Sequence, residues 1–145
     1  MNAVKPASAP AQGRSLKRQI FVVEDHMFMR RSIVEAIERE PDLAVCGQAE
    51  NAQEALSAIA SLKPDVVLTD IQLKSSSGLD LINALCAQSP AIPVVATTMF
   101  NVNQNRRLAR AAGAVGFVSK QDGPDRMVAT IREVLKAGKE PVENP

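Results

Sequence analysis

Five times along this chain a short apolar run gives way to an amphipathic stretch of helical period, and that alternation limits the architectures open to it. The runs are Ile20 to Val23, Leu43 to Ala49, Val66 to Leu68, Ile92 to Thr97 and Ala114 to Ser119. Ile20-Phe21-Val22-Val23 and Val66-Val67-Leu68 are continuous in hydrophobic residues, the pattern of strands covered on both faces of a parallel sheet. The second run alternates only in part, with Leu43, Val45 and Gly47 set against Ala44 and Cys46. After the first run come Ile33, Val34 and Ile37 on one helical face, with Arg30, Arg31, Glu35 and Glu38 outside. Asn51 with Glu54 three residues on is a capping signal for a helix carrying Leu56, Ile59 and Leu62. Leu79, Leu81, Ile82 and Leu85 mark a third helix. Asn101 or Asn103 can cap a fourth, rich in Arg and Ala through Ala112, and Gly113 is placed to stop it. Asp122, Pro124 and Asp125 open the last, whose core stripe is Met127, Val128, Ile131, Val134 and Leu135.

Strand then helix, repeated with short connections, predicts an α/β fold: a doubly wound five-stranded parallel sheet with helices on both faces. A flavodoxin-like (βα)5 arrangement with strand order 2-1-3-4-5 is the natural expectation, because it sets the first and third strands side by side. Periodicity alone does not give that order. The 145 residues suffice for one domain with a sizeable core, and with no Trp or Tyr and only four Phe that core must be aliphatic. The net charge of +1 is uneven. Lys5, Arg14, Lys17 and Arg18 make residues 1–18 a +4 segment, leaving the rest near −3. With Pro6, Pro10 and Gly13 and no periodicity, residues 1–18 are expected to be a disordered basic tail. Residues 19–137 are expected to form the domain, and 138–145 a polar tail or linker. Cys46 and Cys86 fit neither a metal spacing nor a disulfide framework, so buried thiols in a reducing cytoplasm are expected. No apolar run approaches a membrane span, no signal-peptide pattern opens the chain, and the small net charge gives no case for nucleic-acid binding by this domain. The expected location is the cytoplasm.

In an open α/β sheet, ligands bind outside the carboxyl ends of the strands. Glu24 and Asp25 end the first strand, Asp70 the third, Thr98 the fourth and Lys120 the fifth. Each alone reads as a solvated strand end; four strands delivering these types to one edge do not. Three acids crowded together repel and raise one another's pKa, a conflict that a divalent cation resolves. Mg2+ suits oxygen ligands and commonly takes one or two carboxylates plus a phosphate. Carboxylates, a hydroxyl and an ammonium around one Asp are what phosphoryl transfer to that Asp requires.

The stretches Val22-Val23-Glu24-Asp25-His26, Pro64 to Ile71, Val94 to Met99 and Gly113 to Lys120 together resemble the response-regulator receiver domain of two-component signalling, over about Gln19 to Leu135. Asp25-His26, Thr98-Met99 and Gly116-Phe117-Val118-Ser119-Lys120 look most like its NarL/LuxR-type members. The resemblance implies that Asp70 is the phosphoacceptor, and that Glu24, Asp25, Asp70 and the backbone carbonyl of Gln72 hold Mg2+. It likewise makes Thr98 the switch hydroxyl, Lys120 the phosphate-binding lysine and Phe117 the aromatic switch. Two departures stand out: Lys74-Ser75 where the family often has Pro-Gly, and Gln121 where Pro is common after the lysine. Gln72 and Phe100, two residues beyond Asp70 and Thr98, flank the path of hydrolytic water, and Phe100 is expected to exclude it. His26 invites a phosphohistidine reading but is expected to be a helix-start residue. Arg106, Arg107 and Arg110 are expected to be a solvated helix face.

The function implied is a switch, not an enzyme beyond self-phosphorylation from small donors and self-dephosphorylation. A histidine kinase or phosphotransfer protein would supply the phosphoryl group to Asp70, and the surface around the fourth helix, fifth strand and fifth helix would change. Phosphorylation-dependent homodimerisation is a further implication. The alternative is the receiver fragment of a LuxR-type DNA-binding transcriptional regulator whose helix-turn-helix domain lies outside this chain. An aspartyl phosphatase needs a general acid two residues after its nucleophile, where this chain has Gln72. A receiver that works without phosphorylation is disfavoured by the full set of acceptor-site groups.

Overall fold

Five parallel strands form one sheet in the computed structural model, which describes residues 17–139. They are β1 (Arg18–Val23), β2 (Leu43–Ala49), β3 (Val66–Asp70), β4 (Val94–Thr98) and β5 (Gly116–Ser119), in the order β2-β1-β3-β4-β5. The helices between and after them are α1 (Met27–Glu38), α2 (Ala52–Leu62), α3 (Gly78–Gln88), α4 (Val102–Ala112) and α5 (Pro124–Lys139). A 3-10 turn, Lys120–Asp122, precedes α5. This is the expected doubly wound flavodoxin-like fold.

Successive residues of a strand face opposite sides of the sheet, and both sides here are covered. Ile20, Val22, Val66, Leu68, Val95 and Val118 pack with Ile33 and Ile37 of α1 and Met127 and Ile131 of α5. Phe21, Val23, Val67, Val94 and Ala96 face the other way, toward Ile59 of α2, Ile82 and Leu85 of α3 and Ala109 of α4. That is why the central runs read as continuous hydrophobic segments. The half-alternating β2 lies at the sheet edge and pairs with β1 across a register shift between Ile20 and Phe21.

Element ends differ from expectation by a few residues. β4 starts at Val94, after Pro93, which has no N–H to give a ladder. β5 starts at Gly116, because Gly113 and Ala114 are spent closing α4: both N–H groups reach the Ala109 carbonyl, and Gly113 takes the left-handed φ of +119° that a non-glycine resists. At the other termini, β1 already includes Arg18, and α5 continues through Gly138 to Lys139. A glycine in the last turn of a helix costs only about 1 kcal/mol. The rest of the expected N-terminal tail, 1–16, and of the C-terminal tail, 140–145, lies outside the described residues. Cys46 and Cys86 are half-buried, not fully buried, because each sits at the margin of the α2–α3–α4 face.

Candidate functional site

Register brings the chemistry together. Val23 pairs with Thr69 across β1–β3, so the next residues out, Glu24 and Asp70, emerge side by side. Asp70 pairs with Thr97 of β4, and Thr98 pairs with Ser119 of β5, so Thr98 and Lys120 flank the same edge. The loop after β3 is drawn back over this edge. Gly78 N–H donates to the Ile71 carbonyl at 2.8 Å, and Gln72 pairs with Ser77 in an isolated antiparallel bridge. Gly78 approaches so closely that a Cβ there would lie 2.0 Å from the Asp70 carbonyl oxygen. Ser77 caps α3, its hydroxyl accepting from Asp80 N–H at 3.2 Å.

Asp70, Glu24 and Lys120 are all buried. Lys120 Nζ lies 2.7 Å from Asp70 Oδ2 and 2.6 Å from Glu24 Oε1, while Asp70 Oδ1 accepts from the Gln72 backbone N–H at 3.0 Å. Asp25 Oδ2 accepts from Lys74 N–H. Lys74 therefore contributes its backbone to the site in the loop where Pro-Gly was the commoner pattern. Burial pushes the Asp70 carboxyl above the ordinary range, and the Lys120 bond and charge only partly offset it. For Lys120 the strongest single influence, burial, acts downward, yet its bonds to Asp70 and Glu24 together hold it above an ordinary lysine.

Three carboxylates and one ammonium leave two negative charges in a site largely removed from water. Asp25 Oδ1 is buried and accepts no hydrogen bond. An orphaned carboxylate oxygen inside an acidic cluster is what a hard dication satisfies, so the residues present fit the divalent-ion site. Ligand atoms of Glu24, Asp25, Asp70 and also His26 lie within 4.8 Å of one another.

Thr98 is fully buried, but its hydroxyl is engaged away from Asp70. It donates to the Phe100 carbonyl at 3.0 Å and accepts from Asn105 Nδ2, also at 3.0 Å. Asn105 Nδ2 also reaches the Phe100 carbonyl at 2.8 Å. Asn105, a buried polar residue on α4, escaped the sequence reading. Its signal was its spacing, four residues before Ala109, with which it shares the buried face of α4. Asn101 precedes α4 as expected of its cap, but its side chain makes no capping bond and its φ is +54°. Phe117 is half-buried on β5, with the Arg106 guanidinium 4.7 Å from its ring centre. Arg106, Arg107 and Arg110 are exposed, and Arg106 has this aromatic contact in addition. Gln121 donates its amide to the Met99 carbonyl at 2.9 Å, tying the β5–α5 turn to the end of β4. A pocket of about 400 Å³ opens over Asp70 and Lys120, walled by His26, Met29, Gln72, Met99 and Phe100. His26 stands at the N-cap of α1, where a helix-start residue was expected. Among the described residues no helix is long and apolar enough to cross a membrane.

Comparison with known proteins gives the same constellation a lineage. Over 117 residues the chain is 35% identical to the response regulator GacA of Pseudomonas viridiflava, covering 81% of this chain and 55% of that one. It is 36% identical over 107 residues to a protein-glutamate methylesterase/protein-glutamine glutaminase of Geobacillus kaustophilus, covering 73% of this chain and 31% of that one. The chain thus spans about half the length of the first relative and about a third of the second. Among solved structures, a LuxR-family two-component response regulator from an Aurantimonas strain superposes with a TM-score of 0.79 at 29% identity, over 83% of this chain and 86% of that one. The response regulator receiver domain family matches residues 20–132. Receiver domains generally bind Mg2+ and work with histidine kinases or phosphotransfer proteins, and an acidic cluster stands here at the ends of β1 and β3. With its fold, its edge of acids and lysine and its relatives in agreement, the chain belongs to the response-regulator receiver domain family of two-component signalling.

Proposed function

We propose that this chain accepts a phosphoryl group on Asp70 from a histidine kinase or phosphotransfer protein and passes the change to the α4–β5–α5 surface. The observation that carries this reading is the buried ion pair of Lys120 with Asp70 beneath a pocket open to an incoming phosphoryl group. A carboxylate oxygen of Asp70 attacks the phosphorus, the donor's P–N bond breaks, and the bonding pair leaves on the imidazole nitrogen, which takes up a proton. The product is an acyl phosphate, and water returns it to carboxylate and inorganic phosphate. Lys120 neutralises charge that builds on the equatorial oxygens. Glu24, Asp25, Asp70 and the Gln72 carbonyl would hold Mg2+, which when bound supplies further neutralisation of those oxygens.

For the signal to spread, the Thr98 hydroxyl must leave the Phe100 carbonyl and donate to a phosphoryl oxygen. The space it vacates lets the Phe117 ring turn inward, away from Arg106. Such a group only biases two arrangements already accessible to the chain. Phe100, which is exposed and walls the pocket, restricts water at the acyl phosphate. On this reading the chain is a cytoplasmic phosphoacceptor, not an enzyme acting on other molecules, and phosphorylation favours a homodimer. It makes no contact with nucleic acid itself. The likeness to GacA, only half of which this chain spans, favours a second reading of the output, as the receiver unit of a LuxR-type DNA-binding regulator. The size of the natural gene product separates the two.

Intact mass after incubation with acetyl phosphate tests the chemistry. A gain of one phosphoryl group that needs Mg2+ and is absent in Asp70→Asn is expected. No gain from acetyl phosphate or from a cognate kinase would overturn the proposal.

A further inference from the structure

His26 takes no part in the phosphoryl chemistry proposed above, yet it is held against the acidic cluster. It follows Glu24 and Asp25 directly, and its backbone N–H donates to Glu24 Oε2 at 3.1 Å, which fixes the residue at the start of α1. Its ring Nδ1 lies 3.2 Å from Glu24 Oε2 and 3.1 Å from Asp25 Oδ1. We infer that His26 Nδ1 is an additional ligand of the acidic site and biases it toward a borderline transition-metal dication, of the Co2+ and Zn2+ class, over Mg2+. The inference rests on the reading of Glu24, Asp25 and Asp70 as a cation site and deepens it.

Distance is the first support. Neighbouring ligands of an octahedral ion with bonds of about 2.1 Å stand about 3.0 Å apart, and opposite ones about 4.2 Å. The separations of Nδ1 from the two carboxylate oxygens match neighbouring positions, and all four donor atoms fall within 4.8 Å of one another. Satisfaction is the second. Asp25 Oδ1, on a side chain only 5% exposed, accepts no hydrogen bond although a ring nitrogen is 3.1 Å away. The nitrogen has its hydrogen-bond contact with Glu24 Oε2 at 3.2 Å and leaves Asp25 Oδ1 unbonded beside it, an oxygen that a shared ion would satisfy. Donor chemistry is the third. Carboxylates alone suit Mg2+, whereas an imidazole nitrogen added to them favours later first-row dications. The His26 side chain is 60% exposed, so replacing it hollows out no core.

Calorimetric titration of the full chain, free of any affinity tag, with Co2+ and separately with Mg2+ tests this. The wild type is expected to bind one Co2+ at least tenfold more tightly than Mg2+, and Asp25→Asn to abolish both. His26→Ala and His26→Gln should each weaken Co2+ about tenfold or more while leaving Mg2+ within twofold. Glutamine keeps a polar group but offers no imidazole. Unchanged Co2+ affinity in His26→Gln, or a parallel fall for Mg2+, overturns the inference and leaves the Mg2+ site standing. If the wild type binds neither cation, the cation site itself falls, and this inference with it.

Discussion

Lys120 stands between two carboxylates in a space from which water is nearly excluded, and its removal is the sharpest single change available. The Lys120→Met side chain is unbranched and one atom shorter but carries no charge, leaving Glu24 and Asp70 buried without their ammonium partner. Breaking a buried pair from one side costs about 3–5 kcal/mol. Asp70→Asn acts in the opposite sense. It removes one of three crowded acids, leaves Lys120 paired with Glu24 at 2.6 Å, and keeps an oxygen for the Gln72 N–H. Because burial holds the Asp70 carboxyl above the ordinary range, the charged form is the strained one, and the amide relieves it. Urea unfolding without divalent cations should therefore show Lys120→Met less stable by about 3 kcal/mol or more and Asp70→Asn at least as stable as the wild type. Equal losses in the two variants would mean that shape, not charge, holds this site together. Gly78 constrains the same place sterically: no side chain fits 2.0 Å from the Asp70 carbonyl.

Helix α4 is where sequence and structure part most. The strands were readable because burial on both faces leaves an unbroken apolar run, and Asp70 and Lys120 were readable because a strand end is where such a run stops. Nothing comparable marks Asn105. Its bonds to Thr98 and the Phe100 carbonyl depend on the left-handed turn at Asn101, which sets the first turn of α4 over the end of β4. A chain's periodicity carries no record of that turn. Arg106 was legible as an exposed cation but not as a partner of Phe117, because the contact spans two elements. Cation–π attraction at an exposed site is worth about 0.5–1 kcal/mol, which corresponds to roughly a two- to fivefold bias between ring positions. Arg106→Ala should shift Phe117 toward its inward position by about that factor before any phosphorylation. With only four Phe in the chain, side-chain NMR of the Phe117 ring can read the change. A ring population indifferent to Arg106 would show that the guanidinium merely lies over it.

Across the molecule, the strand order followed from analogy with other doubly wound sheets, since periodicity fixes what a strand is but not which strand it joins. The tie between α5 and the α1–β2 turn was equally beyond the sequence, because its partners are ninety residues apart. Arg132 grips Asp42 through two bonds, at 2.7 and 2.8 Å, and reaches Glu40 Oε1 at 2.6 Å. The Arg132 hydrogen bond, opposed by partial burial and aided by the guanidinium charge, holds the Asp42 carboxyl at about 2 against an ordinary 3.8. A carboxyl depressed in the folded chain is protonated first in the unfolded one. Its contribution is therefore fully present above about pH 4 and is lost as the pH falls toward 2. The Asp42 and Arg132 side chains are 58% and 40% exposed, so screening limits the pair to under about 1 kcal/mol. Asp42→Asn should then melt a few degrees (about 2–4 °C) below the wild type at pH 6, and that gap should close between pH 4 and 2. Taking the difference between the two proteins cancels the Asp70 titration, which both share. Added salt should narrow the gap at pH 6 as well. A gap that persists at pH 2 would assign the effect of Asp42 to the shape of the turn and not to its charge.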